Sequence, residues 1–252
     1  MTRNLAAIIA CRNNGSRLFG KPLQNLSISK NWSILDQIIL NITNLGVIDE
    51  IVLAIASGSS NKSFIEYARK NKLKYIVGDE IDVLKRLIDG LDFISATDLF
   101  RITSESPFLY CEPITKAWEK HIYLNYDATF QDDIIDGCGF EIITKEALNI
   151  SWKKGKLKHR SELCSLFIRE NTDIFKILKL KCPKELIRKD LRLTVDYPED
   201  LIVCRAVFNK VLNGEIKSDY SIYDIVRFID KNLQLKALIA PYCDEGYSTM
   251  YL

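Results

Sequence analysis

Short apolar runs alternate with segments of helical spacing from residue 5 to residue 123, and this alternation limits the possible folds most. Leu5–Ala10 is uninterrupted apolar sequence bounded by polar residues, the pattern of a strand buried on both faces. Trp32-Ser33-Ile34-Leu35 then leads into Ile38, Ile39, Ile42 and Leu45, spaced as one helix face and ending near Gly46. Glu50–Ile55 reads as a second buried strand, and a helix opens at Asn61 or Lys62. Lys74–Val77 reads as a strand, Asp79–Phe93 as a helix and Leu99–Thr103 as a strand. Glu112-Pro113 begins a helix through Tyr123, with proline in the first turn where it is tolerated. Strand and helix in strict alternation predict an α/β chain with a mainly parallel sheet and helices on both faces. Ligands of such sheets lie beyond the C-terminal strand ends, so the loops at 12–21, 57–61, 78–82 and 104–107 should surround one cleft.

The second half is less regular. Tyr126–Phe130, Phe140–Thr144, Ile174–Leu180 and Leu191–Val195 read as strands; Arg160–Asn171, Tyr197–Leu212 and Ser221–Asn232 read as helices. The tail from Leu233 resists assignment. Across its 252 residues the chain shows no repeat, no low-complexity tract and no Pro/Gly/Ser linker, which fits one large domain or two small ones. The net charge of +2 gives no support to a nucleic-acid or membrane-surface partner, and no apolar run has transmembrane length. The N-terminus has no signal-peptide pattern. Seven scattered cysteines without a C-x-x-C pair fit a reducing cytoplasm, and with two histidines they argue against zinc.

The loop after the first strand carries Arg12, Arg17 and Lys21 with Gly15 and Gly20 between them. Cations neutralise phosphate charge and glycine lets backbone amides approach an anion, so the loop suits a polyphosphate. On spacing alone a solvated basic loop reads as well. The stretch is neither G-x-x-x-x-G-K-[ST] nor G-x-G-x-x-G, since Gly20 is followed by Lys21-Pro22. It resembles the signature of the cytidylyltransferases that activate acidic sugars, A-R-x-x-S-x-R-[LI]-P-G-K-x-[LI]. Arg12, Arg17, Leu18, Gly20, Lys21 and Leu23 match; Gly15 stands for Ser and Phe19 for Pro. Two further motifs follow in the family's order. Arg101–Pro107 resembles R-[IV]-T-G-D-x-P, with Ser104 for Gly and Glu105 for Asp, and Leu191–Leu201 is L-R-L-T-V-D-T-P-E-D-L with Tyr197 for Thr. The spore-coat polysaccharide group is the nearest branch, ahead of the KDO and acylneuraminate enzymes.

The resemblance implies a single-domain, Rossmann-like nucleotidyltransferase fold of GT-A type, with a mixed, mostly parallel sheet flanked by helices. Residues 1–123 would form the nucleotide-binding half, 124–195 the sugar-binding and possible dimerisation region, and 196–252 the C-terminal helices. It implies transfer of CMP from CTP to an acidic sugar in surface polysaccharide synthesis, with pyrophosphate released, by a cytoplasmic homodimer using Mg²⁺. Arg12, Arg17 and Lys21 are then the catalytic cations. Ala10, Gly15, Ser16, Ala56, Ser57, Gly78, Asp82 and Arg86 would join Arg12, Arg17 and Lys21 at the nucleotide, and Asp136, Glu141 and Glu162 would meet the sugar. Glu105 and Asp196 would hold Mg²⁺, which takes one or two carboxylates plus water and phosphate oxygens. Apart from the resemblance, Glu105 is a loop acid, Asp196 a good helix cap, Asp82 and Arg86 an i,i+4 pair, and Asp200 a cap or dipole partner. His159 lies before a helix, where a lone histidine is commonly a cap-region residue. Other readings stay open: a phosphonate or phosphorylated alcohol as acceptor, another nucleotide, or a non-catalytic nucleotide-binding relative. A related glycosyltransferase would want D-x-D after a central strand, and Asp132-Asp133 lies in the wrong context.

Overall fold

The computed structural model describes residues 3–13, 17–161 and 163–244. Its strands are β1 (Leu5–Cys11), β2 (Asn25–Ser27), β3 (Trp32–Ser33), β4 (Glu50–Ala56), β5 (Lys74–Gly78), β6 (Asp98–Arg101), β7 (Ala128–Phe130), β8 (Glu141–Thr144) and β9 (Ile177–Lys179). The helices are α1 (Ile34–Thr43), α2 (Lys62–Lys70), α3 (Val83–Phe93), α4 (Ile114–Tyr123), α5 (Lys145–Lys154), α6 (Leu166–Glu170), α7 (Pro198–Lys210), α8 (Ile222–Lys231) and α9 (Leu233–Ile239). Seven strands form one sheet in the order β5-β4-β1-β6-β8-β7-β9; β2 and β3 make a separate hairpin. β5, β4, β1 and β6 are mutually parallel, whereas β8 runs antiparallel to both β6 and β7.

The continuous apolar character of β1 has a direct structural cause. Leu5, Ala7 and Ile9 enter one core with residues of α1, α2, α4, α7 and α8. Ala6 and Ile8 enter the opposite core with residues of α3, α5 and α6. A strand covered on both faces has no position for a polar side chain. Close contact on the second face depends on Gly90 of α3, where a Cβ would lie 2.6 Å from Ile8 Cγ2. Helix starts follow local chemistry as well. Ser33 and Asp36 form a reciprocal capping box on α1, and Thr144 accepts from the Ala147 amide to cap α5.

The alternating elements of the first half all occur, with ends moved by a few residues. Four expectations in the second half need correction. Leu191–Val195 is not a ladder strand; its β-pairing among the described residues is one isolated parallel bridge, Asp136 to Arg192. Arg160–Asn171 is helical only as α6, preceded by a tight 3-10 turn at Leu157–Arg160. Tyr126–Phe130 and Ile174–Leu180 shorten to the three-residue strands β7 and β9. The β2–β3 hairpin, α5 and α9 were not anticipated.

Candidate active site

The parallel strands β5, β4, β1 and β6 end at one edge, and their loops meet there as expected. Asn13 follows β1, is buried, and receives no help from the hydrophobic pattern. Its backbone N–H donates to Asn61 Oδ1 at 2.7 Å, and its side-chain amide donates to Ser60 O and Ser63 Oγ. The Ser57 amide donates to Gly78 O at 2.9 Å, so the loops after β4 and β5 are joined in turn. Arg86, almost wholly buried, donates to the carbonyls of Asp79 (2.6 Å) and Glu80 (3.2 Å) and so holds the turn after β5.

Asp82 and Arg86 therefore do different work from an i,i+4 ion pair. Asp82 caps α3 by accepting from the Lys85 amide at 2.8 Å, and its other oxygen accepts from Trp152 Nε1 at 2.9 Å. Arg86 feels repulsion from Arg12, which helps to push its guanidinium below the usual range after the larger effect of burial. Ala10 is half-buried at the strand end, Arg12 is exposed, and Ala56 is buried. Gly15, Ser16 and Glu162 lie outside the described residues.

The second cluster is built around Asp196. Lys21 Nζ donates to its Oδ1 at 2.6 Å, with Arg17 Nη2 at 3.7 Å from the same oxygen. Arg192 Nη2 donates to Oδ2 at 2.6 Å. Burial raises the Asp196 carboxyl, but Lys21, Arg192 and Arg17 more than offset that and hold it below the ordinary carboxylate range. Asp200 is a cap: its Oδ2 accepts from the Asp196 and Tyr197 amides, each at 2.9 Å, at the start of α7. Arg192 is the hub that the sequence did not disclose. It is almost fully buried, with Nε 3.2 Å from Asp200 Oδ1 and 4.0 Å from Asp136 Oδ2. Arg192 lies inside the L-R-L-T-V-D motif four residues before Asp196, but its spacing does not show that it is buried among three carboxylates.

Glu105 reaches this cluster through the backbone: the Val195 N–H donates to its carbonyl at 3.0 Å. Its charge also helps burial to raise the Cys11 thiol at the end of β1. The two carboxylates assigned to Mg²⁺ thus sit on adjacent segments at the cleft. Among the described residues no group of three or more His, Cys, Asp and Glu side chains is placed to hold a metal. The donor set still fits Mg²⁺, which needs only one or two carboxylates when phosphate oxygens and water complete the shell. Asp196 Oδ1 would first have to exchange Lys21 for the ion.

A third group of charges forms a cleft on β6 and β8, lined by Arg101, Thr103, Gln131, Asp132, Glu141 and Arg169. Arg169 makes two bonds to Asp132, at 2.7 and 3.0 Å, and one to Glu141 at 2.8 Å. Glu141 also accepts from Arg101 at 2.8 Å and from Ser165 Oγ at 2.6 Å. Burial would raise Glu141, but Arg101 and Arg169 pull its carboxyl down to about 2. Asp136, by contrast, is sealed behind Gly137 and Arg192 and does not line this cleft. Gly137 takes φ +90°, and a Cβ there would lie 2.6 Å from the Thr194 amide nitrogen, which locks the 136–139 turn against the 191–196 segment. His159 caps its own turn, accepting from the Lys156 amide at 2.7 Å and meeting Glu170 at 2.8 Å.

Comparison with known proteins places this arrangement. No family model matches the chain. It is 28% identical over 246 residues to the uncharacterized protein MJ1063 of Methanocaldococcus jannaschii, covering 96% of this chain and 97% of that one. It is 23% identical over 230 residues to the spore coat polysaccharide biosynthesis protein SpsF of Bacillus subtilis, covering 89% and 93%. Both similarities run over nearly the full length of each chain. The fold matches a cytidylyltransferase from Leptospira borgpetersenii with a TM-score of 0.81 at 19% identity, over 93% of this chain and 97% of that one. It also matches CMP:2-keto-3-deoxy-manno-octonic acid synthetase complexed with CTP, TM-score 0.60 at 11% identity, over 82% and 99%. The nucleotidyltransferase fold, with its mostly parallel seven-stranded sheet flanked by helices, is as the motifs imply.

Proposed function

We propose that the chain transfers CMP from CTP to a hydroxyl of a sugar acceptor. The hydroxyl oxygen bonds to the α-phosphorus, the bond from that phosphorus to the bridging oxygen breaks, pyrophosphate leaves, and the hydroxyl proton goes to solvent. The observation that carries this reading is the meeting of Arg17 and Lys21 with Asp196 at the end of β1, beside a separate polar cleft. Arg12, Arg17 and Lys21 meet the triphosphate and stabilise charge on the departing pyrophosphate. Lys21 moves from Asp196 to phosphate, and this exchange frees a carboxylate oxygen. Glu105 and Asp196 would hold Mg²⁺, which when bound supplies Lewis-acid polarisation of the phosphate. Ala10, Ala56, Ser57 and Gly78 border the nucleoside, while Asp82 and Arg86 hold the turn beside it.

The acceptor we propose is an acidic sugar in surface polysaccharide synthesis, supported by the relationship to SpsF. One observation favours a second reading, a sugar without a carboxylate: Arg101 and Arg169 are already paired with Glu141 and Asp132, so that wall is balanced in charge. We also propose a cytoplasmic homodimer. Seven free cysteines suit a reducing compartment, and among the described residues no helix is long and apolar enough to cross a membrane.

The decisive experiment is CTP binding by calorimetry, with and without Mg²⁺, on wild type and Asp196→Ala, followed by pyrophosphate release across acidic sugars and their neutral counterparts. Mg²⁺-dependent binding that Asp196→Ala abolishes is expected. Equal binding under all four conditions refutes the metal assignment. Binding without pyrophosphate release from any acceptor favours a binding-only relative.

A further inference from the structure

Tyr197 is the position at which the L-R-L-T-V-D-x-P-E-D-L motif is broken, and the structure gives that ring three partners, Arg17, Arg192 and Tyr242. Arg17 Nη1 donates to its hydroxyl at 3.2 Å, and the Arg17 guanidinium lies over its ring, 4.9 Å from the centroid. Tyr242 stacks on it with centroids 3.9 Å apart and planes 14° apart. Tyr242 belongs to the 3-10 turn Ala240–Tyr242 that follows α9, far away in sequence. Its carbonyl accepts from Arg192 Nη1 at 2.8 Å, and the other terminal nitrogen of Arg192 holds Asp196. The C-terminal turn is therefore tied to the cation loop through one aromatic pair and to Asp196 through one guanidinium.

We propose that Tyr197 and Tyr242 form a clamp that positions Arg17 for the nucleotide phosphates, with the Tyr242 carbonyl fixing Arg192 and hence Asp196. Both tyrosines are positioning residues. The proposal rests on the reading that Arg17 meets the triphosphate. Its physical basis is that an arginine on an exposed loop samples many rotamers, and a ring that stacks and accepts a hydrogen bond removes most of them before the ligand arrives. The Arg17 side chain is 38% exposed, and the ring covers part of it while Asp196 Oδ1 lies 3.7 Å from its Nη2.

The test compares CTP affinity, measured by calorimetry with Mg²⁺, with the ligand-free melting temperature. The proteins are wild type, Tyr242→Ala, Tyr242→Phe, Tyr197→Thr, Arg17→Ala and the double variant Arg17→Ala/Tyr197→Thr. Loss of an aromatic pair and a cation–π contact predicts roughly tenfold weaker CTP binding for Tyr242→Ala and Tyr197→Thr. Tyr242→Phe keeps both ring and carbonyl and should restore affinity to within about twofold of wild type. On the Arg17→Ala background Tyr197→Thr should cost little more, because the clamp acts through Arg17. A role in folding alone would lower the melting temperature and leave CTP affinity unchanged. If Tyr242→Ala and Tyr197→Thr bind CTP like wild type while Arg17→Ala does not, the clamp is refuted and the nucleotide reading stands. A wild type that binds no CTP refutes both.

Discussion

Asp136 offers the sharpest quantitative test of the buried charge cluster. It is 3% exposed, and neither carboxylate oxygen meets a well-aligned hydrogen-bond donor among the described residues. Burial raises its carboxyl from 3.8 to about 6, against the pull of Arg192 and with reinforcement from Asp196 and Asp200. An acid raised in the folded state binds its proton more tightly there than in the unfolded chain. Between about pH 4 and pH 6 the native protein holds a proton that the unfolded chain has released, so stability falls as pH rises through that window. A shift from 3.8 to about 6 corresponds to about 3 kcal/mol in full, and about 2 kcal/mol of it falls between pH 4.5 and 7.5. Asp136→Asn removes the titration and keeps the shape. Urea unfolding of both proteins across that range should show wild type losing about 2 kcal/mol relative to the variant. The comparison cancels every other titrating group that behaves alike in the two. Parallel stability–pH curves would refute the reasoning and mean that Asp136 is ionised without penalty, through solvent or a donor reaching it.

Other outcomes follow from single contacts. Lys21→Met should weaken CTP binding roughly 10- to 100-fold, the worth of a charge-assisted hydrogen bond, as measured by calorimetry. Gly137→Ala should cost about 3 kcal/mol or prevent folding, since its Cβ would meet backbone atoms of Leu193 and Thr194 that cannot retreat as a side chain can; thermal melting reads this. Ser33→Ala removes one half of the α1 capping box and should cost about 1 kcal/mol in chemical denaturation without altering CTP affinity.

How much was legible in the sequence differs between the two halves for a physical reason. The central parallel strands β1 and β4 are covered on both faces, so Leu5–Cys11 and residues 51–56 are apolar throughout and can be read directly. Ala128–Phe130 and Ile177–Lys179 are short strands near the far edge, and three residues hold too little periodicity to fix an end. The 191–196 segment alternates apolar and polar residues, the pattern of a half-buried strand, yet it is held by isolated backbone bonds such as Leu193 N–H to Asp136 O (2.7 Å). Motif order pairs Lys21 with Asp196, which meet at 2.6 Å, and sets Glu105 on the neighbouring segment, where its carbonyl accepts from the Val195 N–H. Asp136 was taken for a pocket residue because motif matching gives an address in the chain and not the direction of a side chain. Arg192 and Tyr242 were missed for a related reason: their importance lies in whom they touch across long stretches of sequence.

The rung at which β6 pairs with β8 sets Arg101 directly opposite Glu141, and the two form an ion pair across it. The wall proposed for the acceptor is thus part of the sheet's own framework, whereas the cations proposed for the nucleotide ride on a connecting loop. Residues 12–21 can exchange members with little effect on how the strands register, but a new charge at 101 or 141 must be matched across the rung at once. Diversification of the acceptor should therefore proceed by paired exchanges, and laboratory selection for a new sugar will succeed more readily from libraries that vary Arg101, Asp132, Glu141 and Arg169 together than from any scan of single positions.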